Sequence, residues 1–333
     1  MGYLTQTGTD LLRAEALLRE GELVAVPTET VYGLAADATR PQAAARIFEV
    51  KQRPRFNPLI VHTDHPERVR ELVSEWPPEA EALAKACWPG PLTLLLPRSS
   101  RIPDLVTAGS PRVAVRIPDH PLTLELLRRL PFPLAAPSAN PFGYISPTTA
   151  AHVAAQLGGR IPYILDGGPA RVGLESTIIG WEAGQPVLYR QGGIPAEVLE
   201  PITGPLGQPA PGLKPQAAGM LGSHYAPATP LILGDLRSLL RGRNPQRTGI
   251  LSLRPGSYGL PPGQAIALSA DGDLREAAQQ FFAALRTLDA LHLEAILAEP
   301  MPDTGLGRAI NDRLRRAQAE RKAAPDLPSD SVS

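Results

Sequence analysis

The sequence predicts an α/β protein of two layered domains, and three observations carry that reading. The chain has 333 residues, 43% of them hydrophobic, which is more than one hydrophobic core usually holds. Apolar runs of strand length alternate with amphipathic stretches of helical period. A Pro- and Gly-dense segment, 201–228, interrupts the alternation and separates a larger unit, 1–200, from a smaller α/β unit, 229–323. Residues 324–333 read as a disordered tail.

In the first unit, "TDLLRAEALLREG" (9–21) predicts an amphipathic helix, with Thr9 or Asp10 near its start and Gly21 just past its end. The strand "ELVAVP" follows. "PQAAARIFEVKQR" (41–53) sets Ile47 and Val50 at helical spacing, and "NPLIVH" (57–62) reads as a short buried strand. Further strands are predicted at "PLTLLLP", "RVAVRIP", "FPLAAP", "PYILD", "STIIGW" and "PVLYR", with helices near 66–86, 120–130 and 147–157. Such an alternation collects its loops on one rim. In the second unit, "PLILGD", "TGILSL", "QAIAL" and "LEAILA" predict strands, while "DGDLREAAQQFFAALRTLDA" and "GRAINDRLRRAQAERK" predict helices.

Charge and composition narrow the function. Lys plus Arg and Asp plus Glu both total 33, so bulk charge gives no support for avid nucleic-acid or membrane binding, and any basic site is local. Cys87 is the single cysteine, and neither a secretory leader nor an apolar run of ~18 residues is apparent, which predicts a cytoplasmic protein with no membrane segment. The 38 prolines and the scarcity of Asn, Cys and Met suit either heat adaptation or a GC-rich genome. Only Lys51, Lys85, Lys214 and Lys322 are lysines, and only Asn57, Asn140, Asn244 and Asn311 are asparagines. Against that bias, Lys51 and Asn57 six residues apart suggest retained chemistry.

The common phosphate-loop, dinucleotide and zinc-protease motifs are absent, and scattered histidines with one cysteine predict no metal held by protein side chains alone. What remains is polar clusters at strand ends. Lys51 and Arg53 lie where a helix runs out, a position that suits either a polyphosphate or the helix dipole. Ser138 and Asn140 follow "FPLAA" and precede Ser146-Pro147, which fits an anion site or an Asx turn with a helix cap. "DGGPARVGLESTIIG" and "YRQGGI" put Ser176 and Arg190 beside flexible corners, and hairpin geometry explains both equally well. Arg116 at the end of an apolar alternation is either paired or poised for a carboxylate. His62 reads more readily as a structural histidine, and Cys87 as a packed apolar residue.

"PTETVYGL", "KQRPRFNPLIVH", "VAVRIP", "PSAN" with "SPT", "DGG" followed by "ESTIIG", and "YRQGGI" occur in the order and approximate spacing of the YrdC-type threonylcarbamoyl-AMP synthases, which residues 10–200 resemble. "HYAP" and "GLGRAINDRLRRA" resemble the long, two-domain form of that family. The resemblance implies a twisted open mixed sheet with helices, plus a smaller Rossmann-like C-terminal domain. It implies synthesis of threonylcarbamoyl-AMP from L-threonine, bicarbonate or carbon dioxide, and ATP, with release of pyrophosphate and with Mg2+ on the ATP phosphates. The product would pass to a threonylcarbamoyl transferase that modifies the adenosine next to the anticodon of tRNA, so tRNA is served indirectly.

By the same resemblance, Thr30, His62, Arg116, Ser138 and Ser176 form the threonine side, with Arg116 as a bidentate fork on the carboxylate. Lys51, Arg53, Asn57, Asn140, Ser146 and Arg190 form the nucleotide side, Lys51 and Arg53 are catalytic, and Tyr225 belongs to a lid over the nucleotide. The chain departs from the family pattern at Pro141-Phe142-Gly143-Tyr144, at Arg112, and in a lengthened linker before "HYAP". Two other readings share the fold: an RNA-binding module without synthase activity, and a carbamoyl-transfer domain of hydrogenase maturation. Zero net charge opposes the first, and the missing cysteine-rich modules oppose the second.

Overall fold

The computed structural model describes residues 2–210, 216, 217, 219, 220 and 225–318. Ten strands form one mixed sheet: β1 (Gln6–Gly8), β2 (Val24–Val26), β3 (Gly33–Asp37), β4 (Ile60–His62), β5 (Leu92–Pro97), β6 (Arg112–Arg116), β7 (Leu134–Ala135), β8 (Tyr163–Leu165), β9 (Thr177–Glu182) and β10 (Gln185–Arg190). Their order is β1-β8-β2-β3-β7-β4-β6-β5-β9-β10. The strands β11 (Leu231–Leu233), β12 (Thr248–Ser252), β13 (Ala265–Ala267) and β14 (Ala295–Ala298) form a second, parallel sheet in the order β11-β14-β12-β13. The expected fold class, a mixed sheet followed by a smaller α/β unit, is the one observed. Among the described residues no helix is long and apolar enough to cross a membrane.

Several elements differ from the sequence expectation for physical reasons. β1 is short and largely exposed, and β3 reads "GLAAD", so neither carries the β-branched alternation that marks a strand. Pairing on both sides, with β2 and β7, makes β3 a strand despite its composition. The single helix expected over 66–86 is two helices, Pro66–Arg70 and Pro78–Cys87, because Pro77-Pro78 supplies no N–H to continue a ladder. The helix expected from 147 begins at Ala150, where Thr149 caps it by accepting from the His152 N–H. A helix at Ala196–Thr203 crosses residue 200 and was not expected. The tail 324–333 lies outside the described residues.

The central strands divide their side chains by the period of two. Leu59, Val61, Val113, Val115, Leu94, Leu96 and Ile179 join the apolar core beneath the helices. Their neighbours Ile60, Ala114, Leu95 and Ile178 face the other way, where Val187, Tyr189 and linker residue Ala217 cover them. His62 and Arg116 follow Ile60 and Ala114 in this second set, and they pair directly in the β4–β6 register. The sheet therefore has an apolar face for folding and a half-polar face for chemistry.

The second unit packs against loops of the first. Val31, Ile145 and Leu174 share one apolar cluster with Tyr225, Phe281, Phe282 and Leu314. Gly173 (φ +76) lies against the helix Leu274–Asp289 so closely that a Cβ would sit 2.5 Å from the Ala278 carbonyl oxygen. Gly173→Ala combines that clash with a left-handed conformation. It is expected to cost about 2 kcal/mol and lower Tm by about 5 °C, measured by thermal unfolding of the whole chain.

Candidate active site

The polar face forms a cleft lined by residues from separate loops. Thr28, Thr30, Arg53, His62, Arg116, Ser138, Glu175, Ser176, Arg190 and Tyr225 all reach it. Eight of the residues singled out by sequence therefore converge: Thr30, Arg53, His62, Arg116, Ser138, Ser176, Arg190 and Tyr225. Lys51, Asn57, Asn140 and Ser146 are not among the lining residues.

Local chemistry puts each cation in place. Pro41 opens the helix Pro41–Lys51, and Gln52 ends it in a left-handed cap (φ 53), so the chain turns just past Lys51 and presents Arg53 to the cleft. The Arg53 guanidinium donates to the Asn57 carbonyl at 3.1 Å and the Pro58 carbonyl at 2.8 Å. Arg190 reaches the cleft through a register shift between Leu188 and Arg190, which sets Arg190 opposite Ile178. There it donates to the Ser176 carbonyl and to Ser176 Oγ, both at 3.0 Å. Ser176 Oγ also lies 2.7 Å from Thr93 Oγ1, which fixes its rotamer. A Cβ on Gly192 would sit 2.4 Å from the backbone of residues 175–177, so this corner needs glycine.

The Arg116 guanidinium lies 2.6 Å from Glu29 Oε1 and donates to Thr30 Oγ1 at 2.9 Å and to the Gly90 carbonyl at 3.2 Å. Glu29 is 1% exposed and Arg116 4%, so the pair is buried, and removing one partner costs about 3–5 kcal/mol. Thr30 in turn meets Thr28 Oγ1 at 2.8 Å, giving a chain from Glu29 to the cleft floor.

Lys51, Asn57, Asn140 and Ser146 are buried beside the lining residues. The Lys51 ammonium donates to the Ser138 and Asn140 carbonyls and is 1% exposed. The Asn140 amide donates to the Pro141 and Tyr144 carbonyls at 2.9 Å, holding the loop whose sequence departs from the family. Ser146 Oγ donates to Glu175 Oε1 at 2.5 Å. Asn57 is buried at the end of the Arg53 loop. These residues shape the loops that others line.

Sequence reasoning missed Glu29, Glu175 and Arg313. Glu175 Oε2 accepts from Arg313 Nε and Nη2, both at 3.1 Å, so a residue of the second unit enters the first. The signal was present: each carboxylate stands beside a hydroxyl residue in an otherwise apolar stretch, yet neither names its partner. Tyr225 (φ 64) packs 5.7 Å from Phe282 and 5.2 Å below the Arg313 guanidinium. No group of His, Cys, Asp and Glu among the described residues could hold a metal, and the lining carboxylate, Glu175, is engaged by Ser146 and Arg313.

Burial dominates the titration of the site. It pushes Lys51 well below the usual lysine range, helped by Arg53, and takes Arg53 down to about 9. Burial and then Arg116 lower His62 to about 3, so its ring is neutral. His62 Nδ1 faces the Ile60 carbonyl at 3.2 Å; a carbonyl only accepts, so Nδ1 carries the proton and Nε2 is an acceptor. The surplus of cations and the neutral imidazole suit a polyanion beside an amine or hydroxyl.

Two family models match the chain: one described as telomere recombination over residues 16–192, and the threonylcarbamoyl-AMP synthase C-terminal domain over 194–319. A threonylcarbamoyl-AMP synthase of Bacillus subtilis (strain 168) is 41% identical over 96% of this chain and 95% of its own. One from Pyrococcus abyssi (strain GE5 / Orsay) is 42% identical over 92% and 94%. The crystal structure of P. abyssi Sua5 complexed with L-threonine superposes with a TM-score of 0.86 at 39% identity, covering 94% of this chain and 97% of that one.

The depressed free-state values generate a prediction. An anion favours the charged form of Lys51, so the complex binds more protons than its parts, and affinity falls as pH rises above the free-state value of that lysine. Calorimetry at about pH 9, in buffers of different ionisation enthalpy, is expected to show uptake of up to about one proton per ATP bound. Heats independent of the buffer would refute it.

Proposed function

The chain belongs to the Sua5–YciO–YrdC family as a threonylcarbamoyl-AMP synthase, and from that premise we propose how its cleft carries out the synthesis. The enzyme joins L-threonine, bicarbonate or carbon dioxide, and ATP into threonylcarbamoyl-AMP and releases pyrophosphate, for the modification of tRNA. The RNA-binding alternative is not favoured, since relatives matched along nearly the whole chain are synthases. The observation that supports the site assignment is the convergence of Arg53, Arg116 and Arg190 with His62, Ser138 and Ser176 in one buried cleft.

The threonine amine forms an N–C bond to carbon dioxide and gives up a proton, producing a carbamate. A carbamate oxygen then attacks the α-phosphorus, and the bond to the β-phosphate breaks with departure of pyrophosphate. Both reactants are anions, so the site's first task is to bring like charges together. At the effective dielectric near a protein surface, a unit charge pair at ~4 Å attracts by about 4 kcal/mol before desolvation is subtracted. Positioning and fixed charge then supply most of the catalysis.

Residue roles follow from the contacts. Thr30, Ser138, Ser176 and neutral His62 offer hydrogen bonds to threonine. Arg116, held by Glu29, presents positive charge to the carboxylate and orients Thr30. Arg53 and Arg190 face the phosphates, and Tyr225 covers them from the linker. Lys51, Asn57, Asn140 and Ser146 shape the nucleotide side from behind, Lys51 by fixing the Ser138 and Asn140 carbonyls. No group of described side chains would hold Mg2+, so it would come with ATP and would supply neutralising charge to the phosphates. The product passes to a transferase, the expected downstream partner.

Purified protein is expected to release pyrophosphate from ATP only when threonine and bicarbonate are both present. Release indifferent to threonine would overturn the reading. Arg53→Ala is expected to lower kcat/KM by about 10²-fold while leaving circular dichroism unchanged, because it removes a fixed charge from the reacting phosphates.

A further inference from the structure

Arg313 is 0% exposed, although it belongs to the helix Leu306–Gln318 of the second unit. Its guanidinium touches three parts of the cleft wall. Nε and Nη2 hold Glu175, Nη1 donates to the Gln191 carbonyl at 2.6 Å, and the whole group lies 5.2 Å from the Tyr225 ring centre. Asp312 Oδ2 accepts from Nη1 at 3.0 Å. Adhesion between the units did not require this, since Phe281, Phe282 and Leu314 already bury an apolar surface there. A buried ion pair is a poor adhesive compared with packed hydrophobic residues, so the charge at this point calls for another explanation.

Glu175 supplies one. Its carboxylate lines a cleft that must admit phosphates, and it stands next to Ser176, on which Arg190 is seated. Ser146 and Arg313 take its two oxygens. Without Arg313, the carboxylate would carry uncompensated charge toward the nucleotide and would draw on Arg190, a lining cation whose charge it already favours.

We propose that Arg313 is a positioning residue of the synthase: supplied by the C-terminal domain, it neutralises and holds Glu175, so that the cleft's own carboxylate neither repels ATP nor captures Arg190. The proposal rests on the synthase reading given above. It gives the second domain a part in nucleotide binding that does not require it to touch the nucleotide.

The test is a double-mutant cycle on the full chain: wild type, Arg313→Met, Glu175→Gln and the double variant. KM for ATP and KM for threonine are measured separately by threonine-dependent pyrophosphate release, and ATP affinity by equilibrium binding. Arg313→Met is expected to raise KM for ATP by about tenfold or more with a smaller change for threonine. Adding Glu175→Gln is expected to return it to within about threefold of wild type, since the offending charge is then gone. An unchanged KM for ATP in Arg313→Met, or a double variant as poor as Arg313→Met, overturns the proposal. Should Arg313→Met fail to fold, Arg313→Lys carries the test: retained charge is expected to keep KM for ATP within about threefold, and a tenfold rise overturns the idea. Wild type that releases no threonine-dependent pyrophosphate refutes the synthase reading instead, and the ATP-binding arm still judges Arg313.

Discussion

Like charges crowded into a buried cleft govern this structure. Lys51, Arg53, Arg116 and Arg190 are all nearly inaccessible, and each loses hydration that the protein must replace. The replacements are specific: backbone carbonyls for Lys51 and Arg53, a carboxylate for Arg116, and Ser176 for Arg190. Loops are held by the very groups they hold. The Ser138–Asn140 loop is shaped by Lys51, and the Glu29–Thr30 turn by Arg116, so the site and its scaffold are one network.

The second domain extends that network. Arg286 donates to the Ile145 carbonyl and to Gln156 Oε1, and Arg313 to Glu175 and Gln191. These contacts fall on loops beside the cleft, and Tyr225 is clasped between Phe282 and Arg313. The two long C-terminal helices thus serve as a backing plate for the catalytic wall.

Most of the layered fold was legible because buried strands such as β5 and β6 carry unmistakable apolar runs, and Pro- and Gly-rich punctuation separates them. β3 was not, since "GLAAD" becomes a strand only through its neighbours. The site was legible as a set of residue types at strand ends and, through family resemblance, as a function. Its internal wiring was not. Nothing local to Arg116 names Glu29, and nothing in the last helix points 138 residues back to Glu175, because long-range pairing leaves no periodic mark.

The extra residue in β10 carries a consequence for anyone reshaping this enzyme. Pairing the strand regularly without removing a residue would set Arg190 opposite Thr177 instead of Ile178 and reverse which side it faces, moving a guanidinium from the reaction chamber toward hydrocarbon. The irregularity is thus a switch of parity in the chain. Alignments or redesigns that smooth it away would conserve the letter of the sequence and lose its direction.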